Sequence, residues 1–244
     1  MRIAIVGRGR LGGALAVTAA RAGHDVVVLR RVDAAPDPDP PAPEAALDDA
    51  FAWAGLDLVV LAFERHASTV ADLDDDATLR RLRDIPRAVP VASVVMSPPA
   101  ELLDAFLPDH AIAHFLTTPA ARLPGAIALL PGTSPAEARL REAFPSLHWT
   151  DCDADAYRKR GVLLIGSAMA AAALAHLGRL LGAGPNPDEA GYLSLVLDDA
   201  KRLLELTEGD GFAAFSLVAT PGGFTEKIHN RIFQTSWPLD APRR

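Results

Sequence analysis

The chain has 244 residues, half of them hydrophobic and 23% charged, as expected of a soluble globular protein with one large or two ordinary domains. A formal net charge of −7 excludes an overall basic field that would draw nucleic acid or an anionic membrane. The single cysteine, Cys152, excludes an intrachain disulfide and a metal site built on thiolates, and points to a reducing compartment such as the cytoplasm.

The first element is an apolar strand, Arg2 to Val6, with no basic stretch or cleavage pattern of a signal peptide. It runs into Gly7-Arg-Gly-Arg-Leu-Gly12, then a helix-forming stretch from Gly13 to Ala22, then a second strand ending at Val26-Val-Val-Leu29. G-x-G-x-x-G between a strand and a helix, with another strand behind it, is the signature of a dinucleotide-binding βαβ unit. In that reading Gly7 makes the tight turn, Gly9 admits a pyrophosphate to the backbone, and Gly12 lets the helix pack on the strand. The free N–H groups of the helix start then face the phosphates. Gly7, Arg8, Gly9, Arg10, Leu11 and Gly12 are therefore candidate cofactor-binding residues.

The second strand ends in Arg30-Arg31, where NAD-preferring enzymes place an acid against the ribose; Asp33 comes slightly late. Two guanidinium groups suit a 2′-phosphate, so we expect NADPH in preference to NADH, with Arg30 and Arg31 as its ligands. The proline-rich segment from Asp33 to Pro43 cannot be helix or central strand and reads as an exposed loop. Further buried strands are predicted at Leu56–Ala62 and Pro90–Met96, with shorter ones at Ala111–Phe115 and Ala126–Leu130. Between them, Asp74-Asp-Asp76 reads as a solvated helix start.

After about residue 150 the composition becomes helix-compatible and alanine-rich. The apolar run Val162–Leu177 is shorter than a membrane span and reads as a buried helix. Asn186-Pro-Asp-Glu189 looks like another helix start, and a last helix follows Gly222-Gly223. The predicted fold is thus α/β. A Rossmann-type, mostly parallel sheet occupies residues 1–150, and an all-helical domain for substrate and dimerisation occupies 151–244. A low-charge alanine-rich helix from Gly161 to Leu177 is too apolar to face water alone, which predicts a homodimer.

The stretch Val218-Ala-Thr-Pro-Gly-Gly-Phe-Thr225 resembles the T-S-P-G-G-x-T signature of pyrroline-5-carboxylate reductases. Phe115-Leu-Thr-Thr-Pro-Ala120 is similar to that family's M-P-N-T-P-A loop, and Leu56 to Phe63 to the strand that leads into its cofactor loop. The resemblance runs through most of the chain in order. It implies a dinucleotide domain followed by a helical domain that interlocks subunits, and hydride transfer from a reduced nicotinamide to the C=N carbon of a cyclic imine carrying a carboxylate. It further implies Ala62, Phe63 and Thr117 at the cofactor. Thr220 and Thr225 would act at the reacting centre, and Gly222, Gly223, Phe224 and Ser167 in the substrate pocket.

The turn supports such a role by its own chemistry: amides at a helix start, with Thr220 and Thr225 hydroxyls beside them, attract an anion. Taken alone it reads equally well as a helix-capping turn. The segment Leu164–Met169 keeps only Gly166 and Ser167 of the family's S-G-S-G-P-A, and Phe224 stands where the family has a small residue. A specialised imine reductase fits these departures as well as proline synthesis does. Two other readings remain: a related two-domain dehydrogenase acting on a prephenate-like or hydroxy acid, for which His114 or His229 would be the acid–base, and an NADP-binding dimer without catalysis. No metal is expected, since no cluster has ligand spacing.

Overall fold

The computed structural model describes residues 1–31, 40, 42–48, 51, 53, 55–95, 99–132, 134–157, 159–161, 164, 201–202 and 205–208. The chain divides into two compact units, Met1–Met169 and Ala170–Arg244. In the second, residues 201–202 and 205–206 are helical and Lys201 lies 3.8 Å from Glu205 one turn on. The candidate site Ser167, Thr220, Gly222, Gly223, Phe224 and Thr225 lies outside the described residues, as do His176, His229 and Asp33.

The first unit opens with strand β1 (Arg2–Val6), helix α1 (Arg10–Arg21) and strand β2 (Asp25–Arg30). After the proline segment come β3 (Glu44–Ala46), β4 (Leu58–Leu61), α2 (Val70–Asp74) and α3 (Ala77–Arg80). A 3-10 turn at Arg81–Asp84 leads to β5 (Val91–Ser93), α4 (Ala100–Phe106) and β6 (Ala113–His114). The six strands form one sheet in the order β3-β2-β1-β4-β5-β6, every pair parallel. This is the strand order of a Rossmann sheet, and it reverses direction of build between β1 and β4.

Burial on both faces explains why β1 and β4 read as unbroken apolar runs rather than alternating ones. On β1, Ile3 and Ile5 belong to one core with Leu15, Val28 and Val60. Ala4 and Val6 point the other way and join Leu29, Val59 and Leu61 in the second core. The helices of the two faces close these cores.

A second, three-stranded sheet holds β7 (Leu116–Thr117), β8 (Ile127–Pro131) and β9 (His148–Cys152), with α5 (Glu137–Ala143) between the last two. β8 runs antiparallel to β7 and parallel to β9. Phe115 stacks on Phe144 at 6.5 Å and meets Trp149 at 5.9 Å, between the two sheets' strands. A 3-10 turn, Pro119–Arg122, follows β7 and packs on α1. There the Thr18 hydroxyl, buried on α1, donates to Ala121 O at 2.7 Å.

Two expectations need correction. The end of the proline segment is not exposed loop: Ala42 is buried, and Val28 N donates to Pro43 O at 2.8 Å, which starts β3 on the sheet. The acidic run does start a helix, α3, but it is not wholly solvated. The Asp76 side chain is largely covered and caps α3, accepting from Thr78 N and Leu79 N, while Asp74 pairs bidentately with Arg83 at 2.8 Å. Asp75 between them is exposed, while Asp74 and Asp76 each have a separate guanidinium or backbone partner.

Candidate functional site

Because β1, β2 and β4 are parallel and in register, Val6, Leu29 and Leu61 end side by side on one edge of the sheet. The glycine loop is fastened there. Gly7 N donates to Leu29 O at 2.9 Å, and Ala62 N donates to Val6 O at 2.8 Å. Gly7 has φ +110°, and a side chain on it would collide with the Ala62 backbone, whose carbonyl carbon would lie 2.8 Å from a Cβ. That conformation and that contact both demand glycine. Gly9 differs: nothing lies within 4 Å of the place its Cβ would take, so its small size leaves open space above the loop.

Helix α1 begins at once. Its first intrahelical bond is Gly13 N to Gly9 O at 2.8 Å, so the amides of Arg10, Leu11 and Gly12 precede the helical ladder. No acid lies in its first turn. The start of α1 is therefore a positive end with amides free of the helix's own bonds and no carboxylate to neutralise it.

Above this edge lies a cavity of about 660 Å³. Residues 7–11 of the glycine loop form one wall, Arg30 and Arg31 the next, and Ala62 and Phe63 at the end of β4 the third. Glu64, Val94 and Pro119 complete it. The structure thus gathers ten of the eleven residues expected at the cofactor into one neighbourhood: nine line the cavity and Gly12 packs against Gly7. Thr117 is not among them. It is buried in β7, its hydroxyl donating to Ile127 O at 2.8 Å, and Pro119 lies at the cavity instead.

Two carboxylates govern the arginines of the rim, and neither was foreseen. Glu44, at the head of β3, lies 3.7 Å from Arg8 and 3.9 Å from Arg30. Asp76 lies 3.9 Å from Arg31 and 3.8 Å from Arg65. The two acid side chains are only 7% and 8% exposed, so each is a buried anion bridging guanidiniums from separate segments. Glu44 comes to the site through the pairing of β3 with β2, which nothing local in the sequence reports.

His114 stands at the end of β6 with Nε2 2.8 Å from the Asp104 carboxylate, and it does not line the cavity. Among the described residues, no group of three or more His, Cys, Asp or Glu could hold a metal ion, and no helix is long and apolar enough to cross a membrane.

The fold is that of a Rossmann-type α/β domain in a two-unit chain. It is similar to a pyrroline carboxylate reductase of Plasmodium falciparum solved with NADP bound, at a TM-score of 0.64 and 12% identity, over 96% of this chain and 94% of that one. The 1-pyrroline-5-carboxylate reductase of Streptococcus pyogenes matches at 0.61 and 14% identity, over 96% and 91%. A reductive aminase of Aspergillus terreus, solved with NADPH and ethyl levulinate, matches at 0.55 and 20% identity, over 84% and 75%. No protein-family model matches the chain, and no curated protein matches it in sequence.

Proposed function

We propose that this chain is an NADPH-dependent reductase of the C=N bond of a small, cyclic, amino-acid-derived imine. One observation carries the reading. The arginine-rimmed cavity over the glycine loop belongs to a fold shared, over 96% of the chain, with a pyrroline carboxylate reductase that binds NADP. A cleft of several hundred cubic ångströms is of the size that takes a cofactor.

The residues fit that cofactor in three respects. The open space over Gly9 and the amides at the head of α1 suit a pyrophosphate. Arg30 and Arg31 suit a 2′-phosphate. Ala62 and Phe63 give the far wall an apolar face for the nicotinamide half. When bound, the cofactor supplies the hydride, and the protein contributes position and exclusion of water. Thr220 and Thr225, with the Gly222–Gly223 amides, are proposed to hold the substrate's carboxylate and imine nitrogen, and Phe224 and Ser167 to shape the pocket. Residues 151–244 are proposed to form the substrate and dimerisation domain, the protein acting as a homodimer in the cytoplasm.

The test is NADPH oxidation across a panel of cyclic imino acids, read by loss of nicotinamide absorbance. Turnover on at least one supports the reading. Tight NADPH binding without turnover of any imine or carbonyl acid would establish the non-catalytic alternative instead. The dehydrogenase alternative calls for a histidine or lysine acid–base, with His114 and His229 as candidates, and of these the His114 ring is engaged with Asp104 and does not line the cavity. His114→Asn is therefore expected to leave turnover within about threefold, whereas loss of a general acid–base costs about a hundredfold or more.

A further inference from the structure

Resting on the reductase reading above, we propose that the imine it reduces carries two carboxylates rather than one. Arg10 and Arg122 bind the second, in a compartment beside the cofactor.

A cavity of about 550 Å³ adjoins the cofactor cavity and shares Arg8, Gly9, Arg10 and Pro119 with it. From there it runs along Gly13, Ala14 and Val17 of α1 to Arg122. Arg30 and Arg31 line the first cavity and not the second. In the sheet, β5 lies beyond β4 on the side away from β2. A cofactor with its adenosine at Arg30 and Arg31 therefore extends toward Val94, just past β5, and toward Pro119. The second cavity meets the first at that reacting end.

Its charge is uncancelled. Arg8 and Arg30 share Glu44, and Arg31 has Asp76. Among the described residues, Arg10 and Arg122 form no ion pair, and no acid lines this cavity. Guanidiniums not committed to a carboxylate of the protein can receive one from a ligand through paired hydrogen bonds.

Local structure brings the two arginines to one place. Arg10, Gly13, Ala14 and Val17 recur at intervals of three and four, which is one face of α1. Pro119 and Arg122 are three apart in a 3-10 turn, where such residues eclipse. Helix α1 holds that turn by two successive carbonyls. The Thr18 hydroxyl donates to Ala121 O at 2.7 Å, and the Arg21 guanidinium donates to Arg122 O at 3.0 Å. Arg122 thus extends from backbone tied to the helix that Arg10 begins. Gly13 and Ala14 add little bulk between them, and the volume suits a small acid with an apolar ring.

The experiment measures kcat and KM with NADPH for 1-piperideine-2-carboxylate and 1-piperideine-2,6-dicarboxylate, in the full-length protein and in Arg122→Gln and Arg122→Lys. Arg122 lines this cavity and not the cofactor's, and it is exposed, so both variants keep the fold. Dissociation constants for NADPH, and for the unreducible pyridine-2,6-dicarboxylate, are read from nicotinamide fluorescence. The unaltered protein is expected to favour the dicarboxylate by about tenfold or more in kcat/KM. Arg122→Gln is expected to raise the dicarboxylate KM about tenfold and to weaken pyridine-2,6-dicarboxylate equally. Its kcat, its monocarboxylate KM and its NADPH affinity should stay within about twofold. Arg122→Lys should recover part of the loss, since it keeps the charge but not the fork. Equal kcat/KM for the two imines, or an unchanged preference in Arg122→Gln, overturns the second acid while the reductase reading stands. So does an NADPH affinity that falls in step with that for the dicarboxylate, which would assign Arg122 to the cofactor. If the unaltered protein reduces neither these two rings nor any other cyclic imino acid, the reductase reading falls and the second acid with it.

Discussion

Gly12 packs so tightly against Gly7 that a Cβ on Gly12 would land on the Gly7 carbonyl oxygen and within 3.0 Å of its carbon. The third glycine of the loop thus makes room for the first, whose own Cβ would strike Ala62. The loop is a stack of backbone surfaces, with strand β4 below, Gly7 above it and the first turn of α1 on top.

Gly12→Ala and Gly9→Ala should therefore fail in different ways. The first pushes on backbone that cannot yield, and is expected to lower the free energy of unfolding by about 1–3 kcal/mol. The second meets empty space at ordinary φ, so it should cost no more than about 1 kcal/mol, the range of a changed helix cap. It should still weaken NADPH at least tenfold, since the added methyl fills the room above the loop. Urea unfolding and an NADPH titration on each variant measure both quantities. A Gly9→Ala protein that binds NADPH as tightly as the parent would place the pyrophosphate elsewhere.

The Thr18 hydroxyl links α1 to the turn that brings Pro119 to the cavity, donating to Ala121 O at 2.7 Å and also lying 2.9 Å from Ala14 O. Thr18→Val keeps the shape and removes the donor inside a buried contact. We expect a loss of about 1–2 kcal/mol in urea unfolding, the cost of stranding a buried acceptor. Thr18→Ser keeps the donor and should recover most of it. Equal losses for valine and serine would mean that the methyl's packing, not the hydrogen bond, ties the turn down.

The parts of this fold legible in the sequence are those where one local signal suffices. Strands β1, β2 and β4 are apolar on both faces because both faces are covered, and the glycine pattern between them needs no partner to be read. Strand β3 is different. Glu44-Ala-Ala46 favours helix by composition, and only pairing with Val28–Arg30 makes it strand. Glu44's role was hidden for the same reason, since a residue fourteen positions beyond Arg30 reaches it only across the sheet. Similarity of a loop motif points Thr117 to the cofactor. Its position in β7 turns the hydroxyl to Ile127 O, and the next turn of chain supplies the cavity wall. Asp76 reads as solvated in the sequence because consecutive acids carry no periodicity that would mark one side chain as covered.

Tyr157 offers a pH-dependent check on the end of the first unit. Burial, with a smaller push from Cys152, raises its phenol from the ordinary 10.0 to about 12. Folding thus favours the neutral form. Its contribution is fully present below pH 10, where the unfolded chain also keeps the proton, and is lost as pH rises from about 10 to about 12. In a Tyr192→Phe background, an absorbance titration of phenolate should find Tyr157 still protonated where a free tyrosine is half ionised. Ionisation at the ordinary value in a protein still folded would mean the ring is open to water.

Salt should separate the two cofactors. Arg8, Arg10, Arg30 and Arg31 bring four guanidiniums to one cavity in a chain whose net charge is −7, so the local field opposes the global one. NADPH and NADH share a pyrophosphate and differ by a 2′-phosphate carrying about −1.5 to −2 charges near neutrality. Exposed charges are largely screened beyond about 10 Å at 0.1 M salt, while buried pairs such as those on Glu44 are screened much less. Raising salt from roughly 0.05 to 0.5 M is therefore expected to weaken NADPH about tenfold and NADH about threefold. Arg30→Ala should bring the NADPH slope down to that of NADH. Parallel slopes in the unaltered protein would mean that the extra phosphate points to water. The guanidinium at residue 30 would then serve only to hold β2 to β3 through Glu44.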